Sequence, residues 1–368
     1  MTSTTAAHDA NADVAEPLLQ VRDLKTYFET PGGIVRAVDD VSFTLDRGKT
    51  LGVVGESGSG KTVLSRSIMG LLPKRGTIRE GSVRFDGVEL TELSAKQMRD
   101  YWGARLAMIF QDPMTSLNPV MKIGKQITES IRQHLDVDRK YANELAESLL
   151  RSVRIPEPER RLGEYPHQLS GGMRQRVCIA VALACGPALL FADEPTTALD
   201  VTVQAQVLDL MVSQQVERFM AIVLITHDLG VVAGRADEIA VMYAGRIVEK
   251  APTGVLFSDM KMPYTEALLS SIPKLEHASH TRLATIPGRP PNLVNPPQGC
   301  KFAPRCAYVQ PRCLDEEPPL VPGSHPGHEY RCWFPVGTPE GAEALARNRA
   351  EAGASVGAPA TSEPEGDA

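Results

Sequence analysis

Four features are missing from this chain of 368 residues, and each absence removes a class of function. There is no surplus of positive charge: 39 Lys and Arg stand against 45 Asp and Glu, a formal −6 at pH 7. That excludes nucleic-acid binding driven by overall charge and leaves only a local basic patch. No secretory leader is visible, and none is expected: the first seventeen residues are small, polar and acidic, with neither a basic start nor an apolar run. The longest apolar stretch, Val177 to Ala192, is broken by Gly186-Pro187, and it is shorter than the ~20 residues a bilayer crossing needs. No CxxC pair occurs among the six cysteines, so the knuckles of a zinc ribbon are absent. Without an export signal, disulfides are disfavoured as well. The expectation is a soluble chain whose membrane contact comes only through a partner.

What is present supports a packed protein. Hydrophobic residues make up 42% of the chain, enough for one large domain with an appendage or two modest ones. No internal repeat is visible. Residues 1–17 read as a disordered tail. From Leu18 short alternating strands follow, Leu19 to Arg22, Ile34 to Val38 and Val41 to Leu45, with Pro31-Gly32-Gly33 as the first turn. They suit an antiparallel edge sheet. Leu51 to Val54 is a fully apolar strand running into a Gly-rich loop, and after it Val63, Leu64, Ile68, Leu71 and Leu72 recur at helical spacing. About 112–180 forms a mostly helical and polar insert, with Ile123, Ile127 and Ile131 spaced at four. Apolar strands at Ala188 to Ala192 and Ala221 to Thr226 flank a helix carrying Val203, Val207, Leu210 and Met211. This alternation implies a parallel core sheet, closed by a hairpin from Ile239 to Val248. The α/β domain spans 18–265. Residues 266–335 read as a loop-rich extension, and 336–368, rich in Ala, Gly, Glu and Pro, as a second disordered tail.

The loop Gly55-Glu56-Ser57-Gly58-Ser59-Gly60-Lys61-Thr62 has the GxxxxGK[ST] pattern between a strand and a helix. Gly55, Gly58 and Gly60 let the backbone curl so that N–H groups, including that of Ser57, point inward, and the helix start adds partial positive charge. Lys61 can reach the β- and γ-phosphates, and the Thr62 hydroxyl can ligate Mg²⁺. Asp193 and Glu194 place two carboxylates at the carboxyl end of a buried strand, where α/β folds bind ligands. One can hold Mg²⁺ and its neighbour can polarise a water; the alternative is an acidic cap before Pro195. Ser170-Gly171-Gly172 combines a hydroxyl, two approachable N–H groups and a helix start, a second anion site.

The order of these motifs, with Leu169-Ser170-Gly171-Gly172-Met173-Arg174-Gln175 between loop and carboxylates, resembles the ATP-binding-cassette (ABC) family over residues 18 to about 260. The resemblance implies a P-loop ATPase with a parallel core sheet, an antiparallel β edge and a helical insert. It implies a head-to-tail pair in which ATP lies between the Lys61 loop of one chain and the Ser170-Gly171-Gly172 signature of another. Position by position, Phe28 resembles the aromatic that stacks on adenine, with Tyr27 as the alternative. Gln111 matches the glutamine that senses Mg²⁺ and the γ-phosphate. Asp193 matches the Mg²⁺-organising aspartate, Glu194 the general base, and His227 the histidine on the γ-phosphate. Asp200, in Thr197-Ala198-Leu199-Asp200, matches the loop that crosses the dimer interface.

Cys300, Cys306, Cys313 and Cys332 are separated by five, six and eighteen residues. Spacing alone leaves an iron–sulfur cluster, Zn²⁺ and no metal all open. The stretch Gly299 to Cys306, after Ile286-Pro287-Gly288 and Pro290-Pro291, resembles the C-terminal extension of dipeptide and oligopeptide importer ATPases, which implies a [4Fe–4S] cluster on the four cysteines. It also implies peptide import, with a nickel or other small-solute importer as the alternative and a translation or DNA-maintenance ATPase as the rival class. Implied partners are a second ATPase subunit (self or paralogue), two transmembrane permeases and, indirectly, an extracellular substrate-binding protein, with no nucleic acid. Met114 to Pro119 resembles the segment where the permeases dock, and the chain would sit at the cytoplasmic face of the membrane.

Overall fold

The computed structural model describes residues 16–197, 199–272 and 285–356. The tail expectations for 1–15 and 357–368 lie outside them. In chain order the strands are β1 (Leu19–Thr30), β2 (Gly33–Leu45), β3 (Thr50–Val54), β4 (Thr77–Phe85), β5 (Val88–Glu89), β6 (Leu106–Ile109), β7 (Leu189–Asp193), β8 (Ala221–Thr226), β9 (Glu238–Tyr243), β10 (Arg246–Pro252), β11 (Val321–Pro322) and β12 (Glu329–Tyr330). One sheet has the order β11-β12-β10-β9-β3-β8-β7-β6. The five strands from β9 to the edge strand β6 are parallel; β10 to β12 join antiparallel.

β3, β7 and β8 are buried at every position, as strands covered on both faces must be. Their side chains alternate between two cores. Ile222 and Leu224 of β8 join Leu190 and Ala192 of β7 in one; Val223 and Ile225 join Leu189 and Phe191 in the other. A slip of one residue would exchange the two sets, so packing fixes the register. The register then fixes which residues stand together at the carboxyl ends of the strands.

β1, β2, β4 and β5 form a separate antiparallel sheet of order β2-β1-β4-β5. The two short strands expected between Ile34 and Leu45 are a single strand, β2, with Asp40 in the left-handed region at φ 59° and a register shift against β1 nearby. A bulge interrupts the apolar alternation without ending the strand. The helical insert lies between β6 and β7. Its helix Ile123–His134 buries Ile123, Ile127 and Ile131 completely, the stripe that spacing at four requires.

Regular structure in the C-terminal part exceeds what composition suggested. β11 and β12 extend the main sheet, and a helix spans Pro339–Val356 in the stretch read as a disordered tail. Ala, Glu and Arg favour helices as much as they dilute hydrophobicity, and this helix is tied down. Arg347 Nη1 donates to Gln310 Oε1 at 2.8 Å, and Asn348 Nδ2 to the carbonyls of Ala307 and Val309, both at 2.9 Å.

The extension is also bonded to the ATPase-like domain. Asp39 accepts hydrogen bonds from Tyr27 Oη at 2.6 Å, Arg246 Nε at 2.9 Å and Lys301 Nζ at 2.9 Å. Burial alone would raise the Asp39 carboxyl, but the Tyr27 and Lys301 hydrogen bonds and the two cations hold it far below its ordinary range. His328 Nε2 meets Glu249 Oε1 at 2.9 Å with both side chains fully buried.

Candidate nucleotide-binding site

The Gly-rich loop leaves β3 and enters the helix Lys61–Ile68. Gly60 has φ 103°, and a Cβ there would meet Ala37 O at 2.1 Å, so only glycine closes this turn. Gly60 caps the helix without a side chain, leaving its first N–H groups for a ligand. Lys61 is 5% exposed and its Nζ donates to Gly55 O at 2.7 Å and Glu56 O at 2.9 Å. Burial lowers its pKa.

Thr62 Oγ1 donates to Asp193 Oδ1 at 3.0 Å. Asp193 is fully buried, and its Oδ2 has no hydrogen-bond partner among the described residues. Burial raises its pKa against the pull of the Thr62 hydrogen bond and Arg66. An orphaned anionic oxygen beside a threonine hydroxyl is a donor set suited to Mg²⁺, a hard cation that takes oxygen ligands.

Glu194 follows at the end of β7, held at φ 47° with its N–H on Ile225 O at 2.9 Å. A non-glycine residue in this region is strained. The conformation turns its carboxylate toward three neighbours. Glu194 Oε2 accepts from Gln111 Nε2 at 3.1 Å and Thr197 Oγ1 at 2.9 Å, and His227 Nδ1 lies 3.5 Å away. Gln111, Glu194 and His227 therefore meet from just beyond the carboxyl ends of the adjacent strands β6, β7 and β8. The sheet brings Gln111 to Glu194 across 83 positions.

The signature is elsewhere. Ser170 is exposed, caps the helix Gly171–Leu183 through Met173 N, and lines a surface groove with Gly171, Gly172, Leu199 and Asp200. Asp200 caps the next helix, accepting from Val203 N at 2.9 Å. A Cβ on Gly172 would meet Val203 Cγ1 at 2.7 Å, so the two helix starts touch. Among the described residues no hydrogen bond or ion pair links Ser170, Gly171 or Gly172 to the Gly55–Thr62 loop. Of the two candidate aromatics, Tyr27 is committed to Asp39, with Arg36 5.9 Å above its ring. Phe28 shares a strand face with Thr26, which bonds Ser67 of the phosphate-loop helix at 2.7 Å.

The four C-terminal cysteines line one cavity, together with Tyr308 and Trp333. Burial, with some contribution from one another, raises their thiols, Cys300 to about 11 and Cys306 to about 12. Among the described residues, however, no group of three or more His, Cys, Asp or Glu is placed to hold a single metal ion. Among the described residues that leaves both the expected [4Fe–4S] cluster and its alternative, Zn²⁺, without a preformed ligand group. The site also contains residues no motif announced. Arg305, beside Cys306, binds both oxygens of Glu56 in the phosphate loop, and Tyr264 Oη accepts from Glu56 N at 2.8 Å. The only sequence signal was a basic residue next to a cysteine.

The ABC transporter family matches residues 38–197, and the C-terminal region of oligopeptide/dipeptide transporters matches 248–313. The oligopeptide transport ATP-binding protein OppD of Bacillus subtilis is 51% identical over 318 residues, 86% of this chain and 88% of that protein. This chain belongs to the ATP-binding proteins of the ABC transporters. The OppD of Salmonella typhimurium is 47% identical over 335 residues, covering 91% of this chain and 97% of that protein, so the ABC ATPase relationship runs through the extension as well. Among solved structures, a dimeric post-hydrolysis state of the ATP-binding cassette MJ0796 bound to ADP and Pi aligns with TM-score 0.58 at 24% identity. It covers 64% of this chain and 98% of that one. CbiO1 of Clostridium perfringens gives 0.57 at 24% identity, covering 67% and 92%. These two likenesses establish the cassette fold.

In metal-free, nucleotide-free protein, Thr62→Val removes the only hydrogen bond that the Asp193 carboxylate accepts among the described residues. Thermal denaturation should show a loss of about 1–3 kcal/mol, whereas an unchanged melting temperature would mean that Asp193 is satisfied another way.

Proposed function

We propose that this chain is the ATP-hydrolysing subunit of a peptide-importing ABC transporter, with the residue roles that follow. The observation that carries the proposal is the meeting of Gln111, Glu194 and His227 beside Lys61, Thr62 and Asp193, with the signature on a separate surface. The similarity to oligopeptide transport ATP-binding proteins across both the cassette and the extension supports peptide as the cargo.

The Gly55–Thr62 loop and its helix start hold the triphosphate, and Lys61 turns from the loop carbonyls to the phosphate oxygens. Phe28 stacks on adenine. Thr62 and Asp193, with Gln111, would hold Mg²⁺, which when bound would supply charge neutralisation at the phosphate oxygens. Glu194 takes a proton from the attacking water while that water bonds to the γ-phosphorus and the bond to the bridging oxygen breaks, releasing ADP and phosphate. His227 and Thr197 position the carboxylate. Ser170, Gly171 and Gly172 of one chain complete the site of a second ATPase subunit, with Asp200 at the crossing. Two anion-binding surfaces that do not touch within one chain suit a ligand that bridges two chains. Binding then closes the pair and hydrolysis reopens it, delivering the difference in affinity between the two states.

The helical insert faces the permeases. An apolar cavity of about 300 Å³ lies between β6 and the insert, lined by Trp102, Phe110, Leu117, Cys178 and Val181, and Phe110 and Met114 at its approach are exposed. A short permease helix would lie there, one residue from Gln111, so that its movement is felt at Glu194. No described helix is long and apolar enough to cross a membrane, so attachment to the cytoplasmic face runs through this contact.

For the four thiols lining the cysteine cavity we favour a [4Fe–4S] cluster, with Zn²⁺ as the alternative. Four thiols around a buried space can ligate the corners of a polynuclear cluster, whose chemistry there is to cross-link a loop-rich segment. Anaerobically purified protein should be brown, with the colour lost in Cys306→Ser; colourless protein containing zinc contradicts this.

Glu194→Gln should bind ATP and hydrolyse it about 10²–10⁴-fold more slowly, accumulating a nucleotide-bound pair visible by light scattering. Undiminished turnover would remove Glu194 as the base.

A further inference from the structure

The phosphate loop carries a carboxylate of its own. Glu56 is the second residue of the loop, and its backbone oxygen is one of the two acceptors of Lys61 Nζ. A negative charge beside the place where a triphosphate binds opposes that binding. Its neutralisation comes from far along the chain. Arg305 Nη1 donates to Glu56 Oε2 at 2.6 Å and Nη2 to Oε1 at 2.9 Å, a two-pronged pair across 249 positions. Such forks are the strong and geometrically specific form of ion pair.

Arg305 is itself immobilised. Its side chain is 3% exposed, its Nε donates to Pro287 O at 2.8 Å, and its guanidinium lies 5.9 Å from the rings of both Tyr243 and Phe302. Those rings pack with Tyr264, at centroid distances of 4.5 and 5.3 Å, and the Tyr264 hydroxyl receives the Glu56 N–H. The extension thus grips Glu56 at its carboxylate and, through Tyr264, at its backbone.

We propose that Arg305 is a positioning residue of the nucleotide site: the C-terminal extension cancels the charge of Glu56 and holds the amino-terminal shoulder of the phosphate loop in its anion-accepting shape. The inference rests on the Gly55–Thr62 loop being the nucleotide site. In this arrangement the extension sets ATP affinity, and a disturbance next to Cys306 reaches the phosphate loop through one side chain. Arg305 touches neither the reacting phosphorus nor the water, so its loss changes affinity and not the chemical step.

The test uses the full chain in its assembled transporter, measuring KM and kcat for Mg-ATP. Arg305→Met should raise KM by roughly tenfold or more with kcat within about twofold. Adding Glu56→Gln to Arg305→Met should bring KM most of the way back, because the unopposed charge is then gone. A merely structural clamp would not be rescued this way, since the double variant lacks the clamp entirely. Arg305→Lys keeps the charge but not the fork and should raise KM by a smaller factor, again corrected by Glu56→Gln. If Arg305→Met does not fold by its thermal melt, the Arg305→Lys pair decides in the same terms. Unchanged KM in a folded Arg305 variant, or no rescue by Glu56→Gln, overturns the proposal. Lys61→Ala serves as the control. If it still binds ATP, the nucleotide-site reading fails; if it does not, a flat Arg305 series sinks this inference alone.

Discussion

A buried carboxylate oxygen with nothing bonded to it is the constraint around which this molecule is organised. Asp193 stands at the end of a fully buried strand; among the described residues its carboxylate accepts one hydrogen bond, from Thr62, and its Oδ2 is left unpaired. Burying an unpaired anion is costly, and under the proposed function a bound cation would relieve that cost. The next residue, Glu194, is held in a strained conformation that turns it toward Gln111, Thr197 and His227. Strain and an unsatisfied charge in consecutive residues are what a site looks like before its ligand arrives.

The sheet makes this possible at modest structural cost. Two cores clamp β7 and β8 from opposite faces, and the alternation of side chains between those cores leaves little freedom to slip. Rigid strands then deliver Gln111, Asp193, Glu194 and His227 to one edge. Gln111, at the start of the insert, meets that edge at Glu194, and the extension meets the Gly-rich loop at Glu56 besides its contacts at Asp39 and Glu249.

Much of the site was legible before any coordinates because its signals are local. Gly60, Lys61 and Thr62 form a contiguous loop; Asp193 and Glu194 follow four apolar residues; His227 follows a strand. Each can be read within a window of eight residues. What escaped was long-range or compositionally ambiguous. Nothing near Glu56 announces Arg305, because the pairing exists only once the chain has returned on itself. The helix Pro339–Val356 escaped because Ala, Glu and Arg serve a docked helix and a loose tail equally well, and Gln310 decides between them by capturing Asn348 and Arg347. The bulge at Asp40 made one strand look like two. The cysteines fell between these cases: their spacing suggested a cluster, and the fold brings all four to the lining of one cavity.

Division of the catalytic apparatus between two chains is the central claim, and the rate of hydrolysis per chain measured against oligomeric state tests it most directly. Mg-ATP turnover should be followed over a dilution series while analytical ultracentrifugation reports the species present. The account predicts that the monomer binds ATP yet turns it over negligibly, with activity appearing only as pairs form or a partner ATPase is added. Constant turnover per chain by a species that stays monomeric throughout would contradict it.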